Sequence, residues 1–105
     1  MSRSDPICED AAFDHLHYLV KKGDVPGVRT WLRGGGDPNL LNRFGWSLLM
    51  LAALHGRTGI ALALIESGAD PHLKNRFGDT AVRLAADKGF RRTVEVIERA
   101  AGKGQ

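Results

Sequence analysis

The sequence predicts an all-α solenoid built from helix–turn–helix units with protruding turns, and three observations predict it. The tetrapeptide Asn42-Arg43-Phe44-Gly45 returns 33 residues later as Asn75-Arg76-Phe77-Gly78. The same shift of 33 relates Ala52-Ala53 to Ala85-Ala86, Gly23 to Gly56 to Gly89, and Gly35, Asp37 and Pro38 to Gly68, Asp70 and Pro71. Self-similarity at a period of 20–50 residues marks a stacked repeat. Glycine makes up 13 of the 105 residues, nearly twice its ~7% average. These glycines avoid serine-rich tracts, and seven of the 13 fall at helix stops or in the turns, so most read as punctuation and not as a flexible linker.

The elements follow in order. Asp5-Pro6 pairs a helix N-cap with proline at the first helical position, so an N-terminal helix should start near Pro6 and run to Lys22. Leu16 to Gly36 fits a first unit without its leading turn. Gly34-Gly35-Gly36 reads as a flexible helix end plus a turn; no Lys-Ser/Thr follows it, as a phosphate loop would need. Gly45 follows a polar turn and permits positive φ there. Ser47 and Thr80 are good N-caps for short helices over Ser47–Leu54 and Thr80–Asp87. Gly56 and Gly89 end these helices. Second helices are predicted over Thr58–Ser67 and Arg91–Ala101. Asp70-Pro71 then leads into an extended stretch, because proline disfavours helix in the residue before it.

Helices of eight to eleven residues are marginal alone in water and need neighbours. The alanine pairs let first helices approach closely while keeping helix propensity. Leu49, Leu51, Leu64 and Ile65, with Val82, Leu84, Val94 and Ile97, supply the apolar faces. Trp31 occupies the place of Leu64 and Ile97 and is expected in the core. The chain divides into units at about 9–41, 42–74 and 75–105 of one domain spanning 1–105, with 1–5 and 102–105 expected to be loose.

Composition closes other classes. One cysteine, Cys8, makes no internal disulfide, so a disulfide-stapled scaffold is excluded. No apolar run approaches the roughly 20 residues that span a bilayer. The first residues carry acids where a signal peptide needs an apolar stretch, so a cytoplasmic location is expected. Net charge is +3. The first 40 residues carry five Lys/Arg against six Asp/Glu and the remainder ten against six. That is a mild gradient and not the dense basic stripe of a nucleic-acid footprint.

The repeat resembles that of ankyrin-repeat proteins, whose unit of about 33 residues reads Gly-x-Thr-Pro-Leu-His-x-Ala-Ala, then Gly, a Leu-rich helix and Gly-Ala-Asp. Here the middle unit runs Gly45-Trp46-Ser47-Leu48-Leu49-Met50-Leu51-Ala52-Ala53, then Gly56, Leu64-Ile65 and Gly68-Ala69-Asp70. The next runs Gly78-Asp79-Thr80-Ala81-Val82-Arg83-Leu84-Ala85-Ala86, then Gly89. The resemblance covers about residues 9 to 101. The chain departs from the pattern in four places. Met50 and Arg83 replace the motif's histidine, and Leu48 and Ala81 its proline. Leu19 and Val20 replace the alanine pair in the first unit, and Glu98 stands where Ile65 stands in the middle one. The last two departures suit terminal caps, so the array reads as complete at three units.

The resemblance implies a rigid binding surface without catalysis, which contacts a partner protein through its turn tips and the exposed side of its first helices. By position these contacts are Arg43, Phe44 and Trp46 in one turn and Arg76, Phe77 and Asp79 in the next. Lys21 and Lys22, Leu54 and His55, and Asp87 and Lys88 follow at the helix ends. Arg and aromatic residues are favoured at binding hot spots. Trp46 stands out because its counterpart is Asp79, and Leu54 because its counterpart is Asp87. The plainer reading has Phe44 and Phe77 packing on each other or on a neighbouring turn, with Arg43 and Arg76 solvated.

Other residues carry little chemistry. His15 and His17, two apart, face different sides of a helix. With His55 and His72 they form no zinc-like set, so no metal and no cofactor is expected. Cys8 has no activating motif around it. An enzyme is disfavoured for want of paired carboxylates, a metal cluster or an activated nucleophile. The leading expectation is a protein-interaction module of adaptor, inhibitor or antidote type. The alternative is polyanion or nucleic-acid binding through Arg43, Arg76, Lys88, Arg91 and Arg92. A monomer is expected over a homodimer joined at Trp46 and Leu54, and no membrane partner is expected.

Overall fold

The computed structural model describes residues 8–102. Among these residues it forms six helices: α1 (Cys8–Lys22), α2 (Val25–Arg33), α3 (Leu48–Leu54), α4 (Thr58–Glu66), α5 (Ala81–Lys88) and α6 (Arg91–Gly102). Extended pairing among them is an isolated antiparallel bridge between Leu41 and Ser47. The expected helix start at Pro6 lies outside the described residues, as do 1–5 and 103–105. Gly102, expected in the loose end, instead closes α6.

The helices form two layers. α1, α3 and α5 pack in sequence in one layer, and α2, α4 and α6 pack in the other. Within each unit the first helix packs on the second. The core lies between the layers and is continuous along the stack. Val20, Leu48, Ala52, Ala53, Ile60, Leu64, Ala85 and Ile97 are fully buried in it. Full burial of a Leu or Ile side chain is worth roughly 1.5–3 kcal/mol, which holds together helices too short to stand alone. Trp31 is only half-buried at the edge of this core, short of the full burial its position suggested. Its indole lies over Gly36, where a Cβ would come within 2.3 Å of the ring. Gly36 is therefore a seat for the indole and not a loose hinge.

The repeat glycines serve as punctuation. Among the described residues, those with positive φ are Gly23, Gly35, Gly45, Gly56, Gly68, Gly78 and Gly89, the seven that the 33-residue shift aligns. The N-caps also act as expected. Ser47 Oγ accepts from the Met50 amide at 3.1 Å and Thr80 Oγ1 from the Arg83 amide at 3.3 Å. Met50 Sδ accepts in return from the Ser47 amide at 3.5 Å, which completes a capping box with a thioether.

Neighbouring units are joined where first helices end. The Arg57 guanidinium lies against Gly23 and donates from Nη2 to the Lys21 carbonyl at the end of α1. One unit later, the Phe90 ring takes the same place over Gly56, 2.9 Å from where a Cβ would be. On the other side of the stack, Asn39 Oδ1 accepts from the Asp70 amide at 2.7 Å. Its Nδ2 donates to the Gly68 carbonyl at 3.3 Å.

Candidate protein-binding surface

Two turns lead into α3 and α5 and share one construction. Asn42 Oδ1 accepts from the amides of Phe44 at 2.9 Å and Trp46 at 3.0 Å. Asn75 Oδ1 accepts from those of Phe77 at 2.9 Å and Asp79 at 3.0 Å. The Asn42 amide donates to the Trp46 carbonyl and the Asn75 amide to the Asp79 carbonyl. The Arg76 amide also donates to the Phe44 carbonyl at 3.1 Å, tying one tip to the next. Gly45 fits this junction because a Cβ there would sit 3.2 Å from the Asn75 Cα.

The side chains on this frame differ between the turns. Phe44 is 50% exposed and Phe77 73%. Trp46 and Leu54 are half-buried and not fully exposed. Together with Leu51, Phe44, His17 and Asn42 they line a shallow groove of about 230 Å³ between α1 and α3. The turn aromatics of the middle unit thus share one apolar cleft with the end of its first helix. In the next unit the equivalents of Trp46 and Leu54 are Asp79 and Asp87. Asp79 Oδ1 pairs with Arg83 Nε at 3.7 Å. Arg43 joins Asp14, Asn42 and Phe44 around a second shallow pocket.

Sequence spacing missed one feature. The rings of His17 and His55 lie 5.6 Å apart, tilted by 39°. They are 38 residues apart in the chain, five off the repeat period, so no alignment of units pairs them. His17 stands at the motif's histidine position in α1, and His55 caps α3. Burial holds both pKa values below the ordinary histidine value. Lys21 lowers His17 further, against an opposing pull from Asp14. His17, Lys21, Arg57 and Lys88 lower His55 further. The Nε2 of each ring is buried without a hydrogen-bond partner.

Other expected residues are spread out. Arg76 and Phe77 sit at the second tip, while Asp87 and Lys88 sit at the far end of α5. The basic residues named for polyanion binding divide the same way. Arg43 and Arg76 are at the tips, whereas Lys88 closes the other end of α5 and Arg91 and Arg92 follow it. An eight-residue helix, about 12 Å at 1.5 Å per residue, separates the two groups. Among the described residues no group of three or more His, Cys, Asp or Glu is placed to hold a metal ion. No described helix is long and apolar enough to cross a membrane.

Comparison with known proteins adds to this geometry. A family model described as ankyrin repeats (3 copies) matches residues 16–102. The chain is also similar to Notch-regulated ankyrin repeat-containing protein B of Danio rerio, 42% identical over 50 residues. That match covers 48% of this chain and 45% of the relative. The Homo sapiens and Xenopus laevis proteins of that name match at the same identity over 50 residues, covering 44% of each. The chain therefore spans less than half the length of the relatives it matches.

Proposed function

The chain belongs to the ankyrin-repeat family, a family of protein-interaction modules, and from this we propose that it docks a partner protein through the groove between α1 and α3 and the adjoining turn tips. The observation that carries this reading is the difference between equivalent positions. Trp46, Phe44, Leu51 and Leu54 gather apolar surface at one cleft, while the next unit builds the same backbone with Asp79 and Asp87. The fold thus has no need of an aromatic at position 46. A half-exposed aromatic cluster in a pocket is the usual anatomy of a binding hot spot.

The module acts as an adaptor, inhibitor or antidote, with no catalytic step of its own, and works as a monomer. Arg43, Phe44, Trp46, Leu54 and His55 form the principal contact. Arg76, Phe77, Asp79, Asp87 and Lys88 extend it along the second unit. The separation of the basic residues along α5 supports this reading over the polyanion alternative. Regulation by Notch, which the vertebrate relatives' name states for them, is not carried over to this chain on a 50-residue likeness.

The test uses the full chain as bait in extracts of its native source, with the double variant Phe44→Ala, Trp46→Ala beside it. A protein retained by the parent chain and lost with the variant supports the assignment. Equal retention of every protein by both removes it. A rise in salt from 50 to 200 mM should leave most of an aromatic-anchored complex intact, whereas phosphate-directed binding falls steeply over that range.

A further inference from the structure

The groove has a second end with different chemistry. His17 lines it and faces His55. Lys21 follows His17 by one turn of α1. Lys22, His55 and Lys88 occupy the same repeat position, each 33 residues from the next, so the first helices of all three units end in a basic side chain. Helix C-termini favour cations in general, and that alone accounts for the lysines at the ends of α1 and α5. It does not account for two imidazoles in contact, with Lys21 acting on both and no hydrogen-bond partner for either Nε2. The acids near this end are Asp14 on α1, which acts on His17, and Asp87 on α5, beside Lys88 in sequence. Against them stand Lys21 and Lys22 on α1, Arg57 at the start of α4, and Lys88 on α5. Positive charge predominates, with Lys22 Nζ 5.3 Å over the Tyr18 ring and Asp24, just after α1, engaged in capping α2.

We infer that the partner presents an acidic peptide segment, with an apolar side chain seated among Phe44, Trp46 and Leu54 and an adjacent carboxylate over the His17–His55–Lys21 end. This rests on the groove being the docking site, as proposed above, and adds the class of occupant. Charge complementarity argues for it: a carboxylate there meets the lysines gathered at the C-terminal ends of α1 and α5, next to a pocket that desolvates the anchor. An approaching carboxylate also favours the protonated imidazoles, so binding takes up protons and tightens as pH falls.

The probe is a displayed library of random 12-residue peptides, selected on the full chain at pH 7.5 and low salt. The expected result is enrichment of Asp or Glu within a few residues of an aromatic or leucine. Binding of the enriched peptides should be lost with Phe44→Ala, Trp46→Ala. It should weaken about ten-fold with Lys21→Glu, Lys88→Glu, as for rim charges that steer and orient a partner. It should also strengthen between pH 7.5 and 5.5 in the parent but not in His17→Gln, His55→Gln, whose fold is checked by circular dichroism. Neutral or basic peptides that still need Phe44 and Trp46 would overturn the acidic class and leave the groove in place. Peptides indifferent to Phe44 and Trp46, or no enrichment at all, would overturn the groove as well. A random-sequence oligonucleotide that binds through Lys21 and Lys88 without Trp46 would reassign this end to polyanions. A dimer abolished by Trp46→Ala would reassign it to a second copy of the chain.

Discussion

In the turn at 42–46 the asparagine side chain is half-buried, and the tip carries Phe44 and Trp46 above a cleft. In the turn at 75–79 the asparagine is only 5% exposed, and the tip carries Phe77 and an aspartate paired to its own helix. The hydrogen bonds accepted by the two asparagines agree to the tenth of an ångström. The backbone of the tip is thus fixed by Asn-x-x-Gly and indifferent to what stands after the glycine. What differs is the outward chemistry, and on that difference rests the proposal that one unit binds and the other flanks it.

Exchanging the variable residues should break this contrast most sharply. Trp46→Asp, which copies the second turn into the first, should leave folding intact by circular dichroism. It should weaken binding of the captured partner by roughly 2–4 kcal/mol, the range of a central aromatic hot spot. The reverse change, Asp79→Trp, should alter that affinity less, because Asp87 and not a leucine stands beside it at the place of Leu54. If both variants bind alike, the two turns are functionally equivalent and the contrast fails.

The constant residues should respond in proportion to burial. Asn75→Ala removes a buried side chain that accepts from two amides of its turn, and about 2 kcal/mol of stability should be lost in urea unfolding. The buried Nδ2 of Asn75 has no acceptor of its own, which trims that loss. Asn42→Ala should cost about 1 kcal/mol, since this asparagine is only half-buried and water can replace it as acceptor.

The glycines separate the turns again. Gly45 and Gly78 have φ of 80° and 81°, so alanine at either adds left-handed strain of about 1–2 kcal/mol. At Gly45 the new methyl also meets the Asn75 Cα at 3.2 Å, whereas at Gly78 nothing lies within 4 Å. Gly45→Ala should therefore have the lower thermal midpoint of the two.

The smallest effect is on pH dependence. Both histidines have lowered pKa values in the folded chain. Above the unfolded value of about 6.5, both states are neutral and the pair has no effect on stability. As pH falls below it, the unfolded chain takes up protons that the folded pair resists, so stability declines until pH passes below the folded values. Unfolding at pH 7.5 and 5.5 should show this decline reduced in His17→Gln, His55→Gln.

The sequence revealed the elements and their stops because a repeat samples each local rule more than once. Ser47 and Thr80 cap alike, and the seven aligned glycines all have positive φ. It could not reveal contacts that break the period. His17 meets His55 across units at a spacing of 38, and Trp31 rests on Gly36 instead of filling the place of Leu64. The half-burial of Trp46 and Leu54 was equally hidden. It depends on the face that α1 turns toward them, which no residue near Trp46 specifies.

The hydrogen bond from the Arg76 amide to the Phe44 carbonyl has a kinetic consequence. It fixes the spacing of the two tips before any partner arrives, so little ordering of this side remains to oppose association. Variants at the tips should then differ mainly in residence time, with on-rates nearly constant.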